Sequence, residues 1–288
     1  MSNLSTCAML VNLSISQWGG RKFDKKATKE VADNHNASAD EIGRFNKVLV
    51  AVSALKTISK LVHEIRSFHY ANTLPWSSAG PCILPSANYP FYAEKMRDYK
   101  VEFEKRVVEF ISNYPAYIED SKSRLNGLFN PDDYPVDIEH RFNIKVSVLP
   151  VPSADDFRVQ VGDAETARIK AEIEESVRKT TAVAMKELWA RLYDAIGCIH
   201  ERLSNKDNVF RDSLIGNLSE LVDLLPRMNI ANDPDLARMA IEAKEKFTKE
   251  APDTLRTNVF VRSKVAVDAK EMMEKMSGFI GKIDIPTV

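Results

Sequence analysis

The segment 163–204 constrains this fold most, because its apolar residues repeat at the spacing of one long helix. The apolar stripe consists of Ile169, Ile173, Val177, Thr181, Ala184, Leu188, Leu192, Ile196, Ile199 and Leu203. Its members are about 3.8 residues apart on average, more than the 3.5-residue repeat of a left-handed coiled coil. The stripe therefore predicts one long helix that packs against other helices, and not a heptad coiled coil.

Three more helices are predicted after this segment, at 209–225, 234–249 and 252–278. Pro226 is expected to end the first of them, since proline cannot donate a helical hydrogen bond. Pro234 and Pro252 suit the first turns of the other two. Only 10 glycines occur in 288 residues, which also favours long helices. The tail from Lys282 on carries Ile283 and Ile285 beyond the last helix.

A small β-element is predicted from residues that alternate between apolar and polar. Three strands are expected, near 9–16, 142–149 and 157–162, the last two as a hairpin around Pro150 and Pro152. Because an isolated hairpin is only marginally stable, the N-terminal strand is expected to complete an antiparallel sheet. The predicted fold class is therefore mainly α with a minor β component, packed as an elongated helical bundle.

Two long helices are predicted within the first 130 residues. The first starts at Asp40 and runs for about 30 residues, with a coiled-coil-like seam formed by Ile42, Phe45, Leu49, Val52, Leu55, Ile58, Val62 and Ile65. The second begins near Pro90, is interrupted at Pro115 and resumes over 117–125. The chain thus divides into a mixed part, 1–162, and an all-helical part, 163–288, which are expected to fold together as one unit.

The run 67–93 between these two helices contains no Lys, Arg, Asp or Glu, but has four prolines and several aromatic rings. One interpretation is a connector packed across the helices that it joins, with Trp76, Tyr89 and Phe91 in the core. The other is an exposed docking surface formed by Trp76, Tyr89, Phe91 and Tyr92, because aromatic residues dominate interface hot spots. The prolines exclude a helix that spans a bilayer here.

Sequence motifs for catalysis, metal binding or cofactor binding are not found. The chain contains neither GxxxxGK[ST] nor GxGxxG, and it lacks GxSxG and CxxC. His63 and His69 are six residues apart, which places them on different sides of a helix and not on the common face that zinc needs. Cys7, Cys82 and Cys198 are far apart and are expected to be reduced thiols. We therefore predict a cytoplasmic protein that is not an enzyme, has no cofactor and has no catalytic or metal-binding residue.

The charge is balanced overall, with 40 basic and 41 acidic residues and a net charge of -1. A general attraction to nucleic acid or membrane is therefore not expected. A local exception is Trp18, which is followed by Arg21, Lys22, Lys25 and Lys26. This pattern suits single-stranded nucleic acid, with a base stacked on the ring and cations along the phosphates. The alternative is that Trp18 anchors the end of the strand in the core while the cations face water.

Three stretches resemble a family of phage and prophage proteins catalogued only as a domain of unknown function (three-one-five-zero). They are LVNLSISQWGGRKFDKK, FHYANTLPWSSAGPCILP and YPVDIEHRFNIKVSVLPVPSADDFRV, and the similarity spans most of the chain. The family has no assigned activity or catalytic residues. Its genes often neighbour genes for a MoxR-like AAA+ ATPase and a von Willebrand A-type protein. The resemblance implies a viral protein in the cytoplasm of the infected cell, with an ATPase supplied in trans.

Two functions are expected on these grounds. The first is protein–protein assembly without catalysis, by self-association into a homo-oligomer or by docking to the AAA+ ATPase. It rests on the seam at 42–65, on the aromatic run and on the missing catalytic motifs. The alternative is a nucleic-acid-binding protein of phage replication or recombination, which rests on the basic cluster after Trp18.

Overall fold

The computed structural model describes residues 4–38, 40–77, 80–156, 159, 161–205 and 208–281, and they form a mainly helical protein with two small sheets. The helices are α1 (Leu4–Cys7), α2 (Lys25–Asn34), α3 (Val52–Ala71), α4 (Tyr89–Leu125), α5 (Asp163–Ser204), α6 (Ser213–Met228), α7 (Pro234–Phe247), α8 (Pro252–Thr257) and α9 (Val259–Ile280). The strands are β1 (Ala8–Ser16), β2 (Arg21–Phe23), β3 (Asn46–Val48), β4 (Leu74–Pro75), β5 (Cys82–Pro85) and β6 (Asn143–Pro150). The predicted fold class, mainly α with minor β, is confirmed.

The larger sheet has the strand order β4-β5-β1-β6, and β2 pairs with β3 in a second, two-stranded sheet. In the larger sheet β5 pairs antiparallel with β1, with Leu10 opposite Ile83. The strands predicted near 9–16 and 142–149 are confirmed as β1 and β6. The third, at 157–162, lies partly outside the described residues, and Val159, Val161 and Gly162 are not in a strand. The uncharged run instead supplies β4 and β5, which the alternation rule missed because both are short and β5 is buried on both faces.

Contacts between Cα atoms divide the chain into two compact units. The first unit comprises Met1–Asn12, His69–Tyr92 and Ser147–Val288, and the second comprises Leu13–Phe68 and Ala93–Val146. Each unit is therefore assembled from separated stretches of sequence, whereas the predicted division at residue 162 followed chain order. The two divisions differ because secondary structure follows from local sequence, whereas the compact units are defined by contacts between residues that are distant in sequence.

The core of the first unit forms around α5, which has the bounds that its stripe predicts. α6, α7 and α9 pack against it, and Trp189 on α5 stacks on Phe279 of α9 with ring centroids 5.6 Å apart. α6 continues through Pro226 to Met228, so the predicted end at Pro226 is wrong. The helix predicted at 252–278 is two helices, because the Asn258 side chain accepts hydrogen bonds from the amides of Phe260 and Val261 and starts α9.

In the second unit, the helix predicted from Asp40 begins only at Val52. Residues 46–48 form β3 instead, and the Leu49 amide donates to the Gly20 carbonyl at 2.8 Å. Gly20 has a φ of 61°, and a Cβ there would lie 2.9 Å from a Leu55 methyl group, so this turn requires glycine. The predicted seam is correspondingly broken. Leu55, Ile58, Val62 and Ile65 are buried, whereas Ile42, Phe45 and Val52 are exposed.

α4 runs without a break through Pro115, where an interruption was predicted. Proline removes the hydrogen bond to the Ile111 carbonyl, at a typical cost of about 3 kcal/mol. Aromatic packing on both sides of Pro115 offsets this cost. The Phe110 ring lies 5.8 Å from the ring of Tyr114 and stacks on that of Tyr117 at 5.6 Å. Tertiary contacts thus keep the helix continuous where local sequence favours a stop.

Candidate interaction surfaces

The four predicted nucleic-acid cations lie on one short stretch of the second unit, with Arg21 and Lys22 on β2 and Lys25 and Lys26 in the first turn of α2. Asp24 starts α2, since its carboxylate accepts a hydrogen bond from the Ala27 amide at 3.0 Å. All four cations are exposed, and within the described part of the chain none of them has a carboxylate within ion-pair distance. We call these four residues the basic face.

Trp18 is half-buried and packs within the second unit. Its ring meets that of Tyr114 edge-on at 5.6 Å and that of Phe110 at 6.2 Å. This geometry matches the interpretation in which Trp18 anchors the end of β1. The structure therefore brings the four cations together on the surface but commits much of the indole ring to packing, which weakens the expected stacking contribution.

Beneath the basic face lies a buried ion-pair cluster that the sequence prediction missed. The Lys47 ammonium is 3.1 Å from an Asp24 carboxylate oxygen and 2.6 Å from one of Asp133, and it donates to the Leu128 carbonyl at 3.0 Å. Only 7% of the Lys47 side chain is exposed. No local pattern points to this cluster, because its charged members come from three distant parts of the chain.

The charges in this cluster stabilise one another. The hydrogen bond from Ala27, followed by that from Lys47, lowers the pKa of Asp24 below its ordinary value. Burial alone would lower the pKa of Lys47, but hydrogen bonds and charge from Asp133 and Asp24 raise it overall. The ammonium donates a hydrogen bond to the Leu128 carbonyl and pairs by charge with both carboxylates, so the cluster holds β3 in place.

The four predicted docking residues all lie in the first unit, but they differ in how far their side chains are buried. Trp76 is half-buried against the core, while Tyr89 and Phe91 are exposed by 41% and 43%. The Arg227 guanidinium lies over the Phe91 ring, 4.7 Å from its centroid. Tyr92 is only 2% exposed and so cannot contact a partner in this conformation. The described part of the run 67–93 thus combines buried segments, such as β5, with two exposed rings at the start of α4.

A buried polar cluster within this connector contains His69, Tyr92 and Cys82. The Nδ1 atom of His69 is 2.8 Å from the Tyr92 hydroxyl, and the His69 carbonyl accepts a hydrogen bond from Thr73. Burial lowers the pKa of His69 to about 4 and raises the pKa of the Cys82 thiol. A buried thiol whose pKa is raised is a poor nucleophile, so these groups act in packing.

The first unit is predicted to lose stability in mild acid because of His69. The pKa of His69 is about 4 in the folded protein and near 6.5 in the unfolded chain, so unfolding takes up a proton between these values. The free energy of unfolding should fall by roughly 3 kcal/mol as the pH drops from about 7 to about 4. Urea titrations at several pH values measure this slope. The slope should flatten in His69→Gln and persist in His63→Gln, which changes an exposed histidine on the same helix.

The first half of α5 forms an incompletely covered surface. None of the residues 163–183 is buried, whereas the same stripe is buried from Ala184 onward. Ion pairs along the helix stabilise its outer face, with Arg168 bound to Glu165 and Glu172, and Arg178 bound to Glu175. The sequence prediction missed this surface because the stripe has the same composition along its whole length.

No group of three or more His, Cys, Asp or Glu side chains within the described ranges could hold a metal ion. Two surface depressions lie along residues 168–180 of α5 and around residues 135–141. Helices long and apolar enough to cross a membrane are not found among the described residues.

Comparison of the chain with protein-family models, with curated proteins and with solved structures found no match. The class that the fold itself defines is a mainly α protein with a small antiparallel sheet. Membership of the phage family stays a prediction that rests on the three resembling stretches.

Proposed function

We propose that this chain is a non-enzymatic protein that acts through contacts with other protein chains. The observation that carries the proposal is the first half of α5, whose apolar stripe is only half-buried among the described residues. Ile169 and Ile173 continue the buried stripe of the first unit, yet they lie on a segment with no buried residue. Apolar residues on one side of an exposed helix are a common way to engage another protein.

Exposed aromatic rings at the end of α3 and the start of α4 add to this proposal. Tyr70, Tyr89 and Phe91 each have at least 41% of their surface exposed. The family resemblance suggests an AAA+ ATPase of the MoxR type, together with a von Willebrand A-type protein, as partners in the infected cell. The missing nucleotide-binding loop is compatible with an ATPase that comes from another chain.

Light scattering on purified proteins tests the proposal. The chain is mixed with a MoxR-like ATPase and a von Willebrand A-type protein, the two partners that the family resemblance implies, with and without ATP. We expect either a complex whose mass exceeds that of each component or self-association of the chain alone. A chain that stays monomeric at high concentration and binds neither protein would contradict the proposal.

A second candidate function, binding of single-stranded nucleic acid, is favoured by the basic face alone. Its four cations are exposed and lack carboxylate partners within the described part of the chain. Such cations can track phosphates and release counterions on binding. The half-buried position of Trp18 favours contacts with the backbone over base stacking.

Reversal of two of these charges tests the second function. Lys25→Glu combined with Lys26→Glu should weaken binding to a single-stranded oligonucleotide by about tenfold or more and reduce the slope of log K against log salt by roughly 1 to 2. Lys264→Glu combined with Lys270→Glu on α9, also exposed, serves as the control and should retain binding. The absence of any mobility shift for the wild-type protein at low salt would exclude this function.

A further inference from the structure

The two-stranded sheet of the second unit has one face on which no residue is buried. In its antiparallel register, Arg21 is opposite Val48 and Phe23 is opposite Asn46. Because side chains alternate along a strand, these four residues share one face, whereas Lys47 of the ion-pair cluster lies on the other. Phe23 and Val48 are half-buried, and Arg21 and Asn46 are exposed. This face is therefore accessible through its polar residues.

An arginine and an aromatic ring form a pair on this face. Arg44 is two residues before Asn46, and its guanidinium lies over the Phe23 ring, 5.4 Å from the ring centroid. The Asn46 side-chain amide donates a hydrogen bond to the Arg44 carbonyl at 3.3 Å. Arg44 is exposed, and no carboxylate in the described part of the chain lies within ion-pair distance of it. Phe23 thus supports a guanidinium that remains exposed.

The charge around this pair favours a polyanion. The segments 21–30 and 40–48 hold seven basic and four acidic side chains, whereas the whole chain has a net charge of -1. One of the four acidic side chains, Asp24, already has a buried lysine partner. Lys25 and Lys26 follow it directly at the start of α2 and are exposed. A phosphate backbone beside the pair would therefore meet several cations.

We propose that single-stranded nucleic acid binds this face, with a base stacked on the Arg44 guanidinium and the Phe23 ring behind it. The inference rests on the second candidate function, because it names the stacking group that the half-buried Trp18 supplies poorly. Unpaired bases stack both on aromatic rings and on arginine guanidinium planes. An acidic protein or an anionic lipid surface would use the cations but would not need a planar group.

Replacing Arg44 with Lys separates stacking from charge, because the variant keeps the cation but loses the plane. Fluorescence anisotropy with a labelled single-stranded oligonucleotide measures the dissociation constant at several salt concentrations. Arg44→Lys should weaken binding by about tenfold and leave the slope of log K against log salt unchanged. Phe23→Leu should weaken binding to a similar extent, because the guanidinium loses its support.

Arg97→Lys is the matched control and should bind as the wild type does. Arg97 is exposed on α4 of the same unit. It lies about 40 Å along the helix, at about 1.5 Å per residue, from Arg124, which donates a hydrogen bond to the Val48 carbonyl. Circular dichroism and urea unfolding check that the variants stay folded. Because residue 44 is exposed, Arg44→Lys should keep the stability of the wild type.

An abasic strand of the same length and charge tests the base contact directly. The wild type should bind the strand with bases about tenfold more tightly, whereas Arg44→Lys should bind both strands about equally. Equal binding of the two strands by the wild type, unchanged binding by Arg44→Lys, or tighter binding to anionic lipid vesicles or polyglutamate would overturn the inference. Salt-dependent binding of the oligonucleotide would then leave the second candidate function standing. A wild type that binds neither strand would contradict both.

Discussion

Replacing Lys47 with Met is expected to destabilise the second unit by about 3 to 5 kcal/mol. The variant leaves the carboxylates of Asp24 and Asp133, whose side chains are only 14% and 11% exposed, without the cation that neutralises both. It also removes the donor to the Leu128 carbonyl. Because β3 carries Lys47, loss of the cluster should loosen the pairing of β3 with β2 as well.

Urea unfolding, followed by the fluorescence of Trp18 in the second unit, measures this effect. Lys22→Met is the matched control, since Lys22 lies opposite Lys47 in the β2–β3 register but is exposed. The control should change the free energy of unfolding by less than about 0.5 kcal/mol. Adding Asp24→Asn and Asp133→Asn to Lys47→Met should recover part of the loss. Equal effects of the Lys22 and Lys47 variants would show that the cluster contributes nothing.

The same cluster should make the second unit sensitive to strong acid. The pKa of Asp24 is lowered in the folded state, so its stabilising contribution is present above the unfolded pKa near 4 and is lost as the pH falls below it. The difference in stability between the wild type and Lys47→Met should therefore shrink below about pH 4.

Replacing Arg262 with Ala is expected to destabilise the first unit by about 3 kcal/mol or more. Arg262 on α9 is 7% exposed, and its guanidinium donates to the carbonyls of Arg202, Leu203, Asn205 and Asn208. These groups are at and just after the end of α5, where carbonyls lack helical partners. One side chain thus caps the longest helix and holds the following residues.

The expected loss is measured by urea unfolding with the fluorescence of Trp189, which lies in the same core. Lys264→Ala changes an exposed cation two residues away and should have little effect. Arg262→Lys should restore only part of the stability, because one ammonium cannot reach the acceptors that a planar guanidinium spans. Full stability in Arg262→Ala would mean that water replaces these hydrogen bonds without cost.

Helices with strong local patterns could be predicted from the sequence. α5 has the bounds that its stripe indicates, and β1 and β6 match their alternation. The segment 40–51 could not be predicted correctly, although Ile42, Phe45 and Leu49 have helical spacing. There the turn at Gly20 and the ion pairs of Lys47 stabilise a strand, and those partners are distant in sequence.

The candidate surfaces could be predicted only in part. The exposure of the basic face could be predicted, because burying several like charges together is costly and the sequence shows these cations close together. Phe91 and Tyr92 are neighbours with similar side chains, yet one is exposed by 43% and the other by 2%. The helix turns by about 100° between them, and only the position of the core decides which ring is covered.

What the sequence by itself determined is the set of segments that can form helices and strands, because hydrogen bonds within a helix and side-chain alternation along a strand are local. The tertiary structure alone decided which parts of those surfaces are buried. The stripe of α5 has the same apolar character from Ile169 to Leu203, yet it is buried only from Ala184 onward. The reason is that the described residues of α9 lie beside α5 only from about Trp189 onward, so burial follows from which helix packs there and not from the stripe itself.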